Sequence, residues 1–241
     1  EAYNKTILLK PDFAEAYNNM GIALKKQGKL EEAIEKYKKA LSLKPDHADA
    51  YYNIGVALQD QGKLEEAIEA FKKALSINSD DAEIYNNMGI VLAELDKLEE
   101  AIEVYNKALL LKPDFVEAYN NKGVSLKEQG KLDEAIEVFN KTLSLKPDYF
   151  EAYYNMGNAI EEQGRLEEAI EAYKKAVLIE PDNKSARYMI ASLTGKKTET
   201  APPEYIENLF DGYAKKFEAS LVNKLEYKTP KLLRNILIKS N

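Results

Sequence analysis

Glu15-Ala16-Tyr17-Asn18-Asn19-Met20-Gly21 opens a unit of 34 residues that recurs along the chain, with the pattern returning at 49–55, 83–89, 117–123 and 151–157. The glycine that ends each stretch recurs every 34 residues without insertion or deletion, at Gly21, Gly55, Gly89, Gly123 and Gly157. A fixed period of this length is typical of stacked repeats, in which each unit buries its apolar face against its neighbours. The sequence therefore predicts a repeat array rather than a globular enzyme core.

Each unit is predicted to contain two helices. Asp12 and Glu15 have the spacing of a capping box, as have Asp46 and Asp49, which predicts a side-chain cap at the start of each first helix. Gly28 has the conformational freedom to end that helix. The second helix has apolar residues at spacings of three and four, which places them on one face: Leu30, Ala33, Ile34, Tyr37, Ala40 and Leu41.

These positions resemble the tetratricopeptide repeat family. Its pattern of aromatic, apolar and small residues closed by proline is matched by Tyr17, Met20, Gly21, Leu24, Ala33, Tyr37, Ala40 and Pro45. The resemblance covers five repeats, at 14–47, 48–81, 82–115, 116–149 and 150–183, and residues 1–13 resemble the second helix of a truncated repeat. Residues 184–195 are predicted to form a capping helix and 196–203 a linker, followed by a helical tail at 204–241. The resemblance implies an all-α, right-handed α-solenoid.

Composition excludes several classes of function. The chain has no cysteine and only one histidine, His47, so neither a Cys/His zinc site nor a Ser-His-Asp triad is expected. Residues 184–241 carry eleven Lys/Arg and six Asp/Glu, so residues 1–183 hold a net charge of −12 within a total of −7. Acidic repeats repel nucleic acid. No apolar run is long enough to span a membrane. With no signal peptide visible, we expect a cytoplasmic protein, and we interpret the start within a repeat as a cut.

One asparagine per repeat occupies the same position of the first helix: Asn19, Asn53, Asn87, Asn121 and Asn155. Asparagine is a poor helix-interior residue, so five in one register require an explanation. The row resembles the asparagine ladder of O-linked N-acetylglucosamine transferases, and that resemblance implies a concave groove that holds an extended peptide by its backbone. The alternative is that each amide bonds only within its repeat or to water.

A row of acids lies four residues before the asparagines and on the same helical stripe: Glu15, Asp49, Glu83, Glu117 and Glu151. One interpretation is an acidic groove that prefers basic peptides. The other is that these acids belong to the capping boxes, which alone would account for an acid at this position.

The tail has a different kind of sequence, which includes Tyr205-Ile206, Leu209-Phe210-Asp211 and Leu225-Glu226-Tyr227. It resembles the entry into bacterial S-adenosylmethionine-dependent methyltransferases that follow tetratricopeptide arrays. The resemblance implies a parent enzyme that recruits its substrate through the repeats. No Gly-x-Gly is present, so we expect no catalytic residue, metal or cofactor in this chain. The alternative is a non-enzymatic scaffold for the assembly of protein complexes.

The two ends are predicted to favour self-association, because apolar residues there have no predicted cover within the chain. These residues are Tyr3, Ile7 and Leu8 at one end and Leu232, Leu233, Ile236 and Leu237 at the other.

Overall fold

The computed structural model describes residues 2–195, 201–203 and 205–206. Within these residues there are twelve α-helices and no β-strand, so the predicted all-α fold is confirmed. The helices are α1 (Ala2–Leu9), α2 (Ala14–Lys25), α3 (Leu30–Leu43), α4 (Ala48–Asp60), α5 (Leu64–Ile77), α6 (Ala82–Glu94), α7 (Leu98–Leu111), α8 (Val116–Glu128), α9 (Leu132–Leu145), α10 (Phe150–Glu162), α11 (Leu166–Ile179) and α12 (Lys184–Leu193). The predicted tail lies, except for Tyr205 and Ile206, outside the described residues, as does 196–200 of the predicted linker.

The chain divides into two compact units, Glu1–Ala169 and Ile170–Asn241. In the first unit, each even-numbered helix from α2 to α8 packs against the helix that follows it, and each pair then packs against the next first helix. Neighbouring first helices, such as α2 with α4 and α4 with α6, also touch. This order of helix-turn-helix pairs is that of an α-solenoid.

The glycines of α2, α4, α6 and α8 each allow an aromatic ring of the following helix to lie against the backbone. A Cβ atom built on Gly55 would lie 2.5 Å from Cε1 of Phe71, and one on Gly123 would lie 2.6 Å from Cε1 of Phe139. Both rings are fully buried. Side chains do not approach each other this closely, so any larger residue would force the two helices apart.

The turn between the two helices of a repeat requires a left-handed residue. Gly28, Gly62, Gly130 and Gly164 have φ between 72° and 78°, and Asp96 occupies the same position in the third complete repeat with φ of 60°. Asp96 is the only non-glycine residue with positive φ among the described residues.

The capping-box prediction was wrong. The residue that precedes α2 is Phe13, and its equivalent before α4 is His47; neither makes a side-chain cap bond. The turn through Pro11 and Asp12 closes with a hydrogen bond from the N–H of Phe13 to the carbonyl of Lys10 (3.2 Å), and this moves the helix start one residue beyond Asp12. Among the first helices of the complete repeats, α6 has a side-chain cap, where Asp81 accepts from the N–H groups of Glu83 (3.0 Å) and Ile84 (3.2 Å).

The second unit contains α12, which is capped by Asn183 through a hydrogen bond from the N–H of Ala186 (3.1 Å). Ala186 and Met189 are buried on one side of this helix. The ring of Tyr188 lies 4.7 Å from that of Tyr205, centroid to centroid, so the first residues of the predicted tail contact α12.

Candidate functional site

The first helices of the repeats present one continuous stripe, which we call the first-helix face. It consists of repeat positions 2, 5, 6, 9, 12 and 13, which fall on one side of a helix because they are spaced by three or four residues. In the repeat 82–115 these positions are Glu83, Asn86, Asn87, Ile90, Ala93 and Glu94. Helices α2, α4, α6, α8 and α10 each contribute one copy of the stripe.

The asparagine row connects neighbouring repeats. The side-chain nitrogen of Asn53 donates to Oδ1 of Asn18 (3.0 Å), and that of Asn87 donates to the hydroxyl of Tyr52 (2.7 Å). The same bond recurs from Asn121 to Asn86 (3.1 Å) and from Asn155 to Asn120 (3.3 Å). Each amide therefore bonds to the preceding repeat, which differs from the predicted alternative of a bond within its own repeat. The side chain of Asn19 is exposed and makes no hydrogen bond to another described residue.

These bonds use only part of each amide. A primary amide has two N–H donors and an oxygen that accepts. One N–H is engaged at Asn53, Asn87, Asn121 and Asn155, while the oxygen and the second N–H have no partner among the described residues. The side chains are thus held in place and keep both a donor and an acceptor.

The acceptors of these bonds were missed by the sequence analysis. Asn18, Asn86 and Asn120 are only 6–7 % exposed, although asparagine is rarely buried without a partner. The signal that could have identified them is the doubled asparagine at 18–19, 86–87 and 120–121. In the repeat 48–81 the equivalent pair is Tyr52-Asn53, so a tyrosine takes the place of the first asparagine.

A second row of contacts between repeats lies seven residues farther along each first helix. Lys25 pairs with Asp60 (2.9 Å), Gln59 donates to Glu94 (2.7 Å), and Lys127 pairs with Glu162 (3.9 Å). Between this row and the asparagines lies a row of half-buried aliphatic residues: Ile22, Val56, Ile90 and Val124.

The acidic row is compensated at one end only. Glu15 lies 3.6 Å from Lys44, and a hydrogen bond from its own backbone N–H, with Lys44 adding to the effect, lowers the pKa of this carboxyl. The other four acids of the row are exposed and form no ion pair with a described residue: Asp49, Glu83, Glu117 and Glu151.

Two acids of the row act on a neighbouring tyrosine, Tyr149. Burial, with the carboxylates of Glu151 and Glu117 adding to its effect, raises the pKa of Tyr149 to about 12. Both carboxylates belong to the acidic row, so the field of the row extends to the turn that precedes α10.

No group of three or more His, Cys, Asp or Glu side chains could hold a metal ion within the part of the chain that the structure describes. None of the described helices is long and apolar enough to cross a membrane.

Sequence models of the tetratricopeptide repeat match most of the chain. Matches described as "TPR repeat" cover 23–62, 91–130 and 123–164, and those described as "Tetratricopeptide repeat" cover 2–35, 48–81, 70–103 and 150–183. The chain belongs to the tetratricopeptide repeat family. Repeats of this family are protein-interaction modules, and this chain is one. No curated protein matches the sequence.

Several solved structures share its fold. YrrB, described as a TPR protein with an unusual peptide-binding site, is 31% identical over 78% of this chain and 97% of its own, with a TM-score of 0.64. MamA is 32% identical over 67% of this chain and 94% of its own, with a TM-score of 0.62. Pseudomonas aeruginosa pilF, at 22% identity over 95% of this chain and 98% of its own, resembles it in fold, with a TM-score of 0.68.

Proposed function

We propose that this tetratricopeptide repeat protein binds an extended peptide on its first-helix face, and that the asparagine row pairs with the peptide backbone. A peptide backbone offers one N–H and one C=O per residue, which is what an amide with a free oxygen and a free N–H can pair with. The observation that carries the proposal is that four of the amides retain both groups while bonding to the preceding repeat.

The inter-repeat bonds favour binding because they fix the amides before a ligand arrives. Immobilising a free side chain costs about 0.5–1.5 kcal/mol on association, and a side chain that is already held avoids most of that cost. Each backbone hydrogen bond contributes about 0.5–1.5 kcal/mol net. Several such bonds predict micromolar affinity at best for a peptide without further side-chain contacts.

The test compares Asn87→Ala with Tyr52→Phe. Asn87→Ala removes the amide, whereas Tyr52→Phe removes only the hydroxyl to which that amide donates and keeps the ring against Phe71. With a fluorescent peptide of alternating Ser and Val as a neutral probe, anisotropy titration of Asn87→Ala should show affinity about three- to tenfold weaker, the equivalent of one hydrogen bond. Tyr52→Phe should lose less affinity than Asn87→Ala, because the direct contacts of the amide are retained and only the bond that holds it is lost.

Thermal denaturation supplies the control. Both variants lose the same inter-repeat bond, so both should melt slightly below the parent. A lower melting temperature for Asn87→Ala with unchanged peptide affinity would show that the row is structural. Equal losses of affinity in both variants would show that the inter-repeat bond, not a contact with the peptide, is responsible.

We also propose that the chain is the substrate-recruiting region of an S-adenosylmethionine-dependent methyltransferase. The support is the sequence pattern from Tyr205 to Tyr227 described above. The competing proposal is a scaffold for complex assembly, with the same peptide-binding face and no enzyme. The gene sequence beyond Asn241 separates the two, because the methyltransferase requires a Gly-rich cofactor loop shortly downstream. Calorimetry on the chain itself should detect no binding of S-adenosylmethionine. Cytoplasmic localisation stays a prediction.

Self-association is a further proposal, and it rests on α1. Leu9 is 84% exposed, whereas Leu111 at the equivalent position of the third complete repeat is 40% exposed. An apolar surface that is partly covered on α7 is therefore exposed on α1. Burying such a face against a second copy is favourable, at about 25 cal/mol per Å². Light scattering should show association that increases with concentration and decreases in Leu9→Glu. A monomer at all concentrations would contradict the proposal.

A further inference from the structure

The first-helix face carries three parallel rows that a bound strand would meet in a fixed order. Along each first helix, an acid at position 2 is followed by the asparagine at position 6 and an aliphatic residue at position 9. In α6 these are Glu83, Asn87 and Ile90, and in α8 they are Glu117, Asn121 and Val124. At a rise of 1.5 Å per residue, the acid lies about 6 Å to one side of the asparagine and the aliphatic residue about 4.5 Å to the other.

A strand that crosses the repeats above the asparagine row would direct its side chains alternately to these two sides. Backbone N–H and C=O groups lie in the plane of a strand, and successive side chains point in opposite directions. If the backbone faces the amides, every second side chain extends toward the acids and the others extend toward the aliphatic row.

The charge on the acidic side is uncompensated in the central repeats. Glu83 and Glu117 are exposed and have no ion pair with any described residue. In the first complete repeat, by contrast, Lys44 lies 3.6 Å from Glu15. The central repeats therefore attract cationic side chains more strongly than the first one.

We propose that the ligand of the central repeats is an extended segment in which Lys or Arg alternates with an aliphatic residue. This inference rests on the proposed function, since it assumes a strand held over the asparagine row. The basic residues of the segment pair with Glu83 and Glu117, and its aliphatic residues contact Ile90 and Val124. Repeats 48–81 to 116–149 form the binding region.

The test uses two peptides of identical composition and charge. One repeats Lys-Val, and the other repeats Lys-Lys-Val-Val, which places like residues on both sides of the strand. Anisotropy titration at low ionic strength should show that the alternating peptide binds about three- to tenfold more tightly, and added salt should reduce its affinity because exposed charges are screened. Equal affinity of the two peptides would overturn the inference.

Two double variants that remove the same number of charges show which surface is responsible for the preference. Glu83→Gln/Glu117→Gln should weaken the alternating Lys-Val peptide about three- to tenfold and leave the neutral Ser-Val peptide unchanged. Glu103→Gln/Glu137→Gln changes the net charge equally on exposed positions of α7 and α9, and it should have little effect. If both double variants weakened binding equally, net charge alone would be responsible and the inference would fail.

The outcomes also separate this inference from the proposed function. Binding of the Ser-Val peptide that depends on Asn87, without preference for alternating Lys, would refute the inference and leave the proposed function intact. Failure of all the peptides to bind would refute both.

Discussion

The ring of Tyr37 fits its fully buried site in shape, but its hydroxyl group has no hydrogen-bond partner there among the described residues. At the equivalent positions of two other repeats the chain has Phe71 and Phe139. An unpaired buried hydroxyl costs about 1–3 kcal/mol, so the tyrosine is less stable here than phenylalanine would be.

We therefore expect Tyr37→Phe to raise the melting temperature at neutral pH. The gain should grow under alkaline conditions, because burial raises the pKa of Tyr37 to about 12 in the folded chain while an unfolded tyrosine ionises near 10. Between these two values the unfolded state loses its proton and the folded state keeps it, so stability falls as pH rises. Thermal denaturation of both proteins from pH 8 to 12 checks this. A variant that melts below the parent at every pH would contradict it.

The asparagine row shows how far residue-level prediction from the sequence extends. Its register followed from the 34-residue period, and its place on one stripe followed from helical spacing. The partners did not follow, because Asn53 bonds to Asn18 across a repeat boundary, and the period alone does not show which side chains of adjacent first helices meet. Asp12 failed as a cap for a related reason, since the turn through Pro11 moved the helix start by one residue.

At the scale of the element, the turn between the two helices depends on one backbone conformation. Asp96 adopts φ of 60°, where an L-residue other than glycine is strained. Glycine occupies this position in the other complete repeats.

Asp96→Gly should stabilise the chain by up to about 1 kcal/mol, since glycine reaches this region without the steric cost. The reverse change, Gly130→Asp, should destabilise it, and a Cβ at Gly130 would meet no atom within 4 Å, so any loss would come from the backbone. Urea denaturation of the two variants measures both effects. A loss of stability in Asp96→Gly would show that the aspartate side chain stabilises the turn.

At the scale of the whole molecule, the array repeats one helix-turn-helix unit several times, with an acid of the acidic row paired, among the described residues, in the first complete repeat only. Lys44 balances Glu15 in the first complete repeat, whereas Glu83 and Glu117 form no ion pair with a described residue. The sequence predicted the all-α solenoid, because each repeat satisfies the same small set of packing positions. The sequence also predicted the overall negative charge of the repeats. It did not predict which acids form ion pairs, because those pairs depend on contacts that exist only in the folded chain.

The central claim is that the asparagine row touches the ligand, and NMR of the asparagine side chains tests it most directly. Adding the alternating Lys-Val peptide to ¹⁵N-labelled protein should shift the side-chain NH₂ signals of Asn53, Asn87 and Asn121. The signals of Asn106 and Asn140, which are exposed on α7 and α9, should stay in place. Shifts confined to Asn106 and Asn140, with the row unchanged at saturating peptide, would contradict the account.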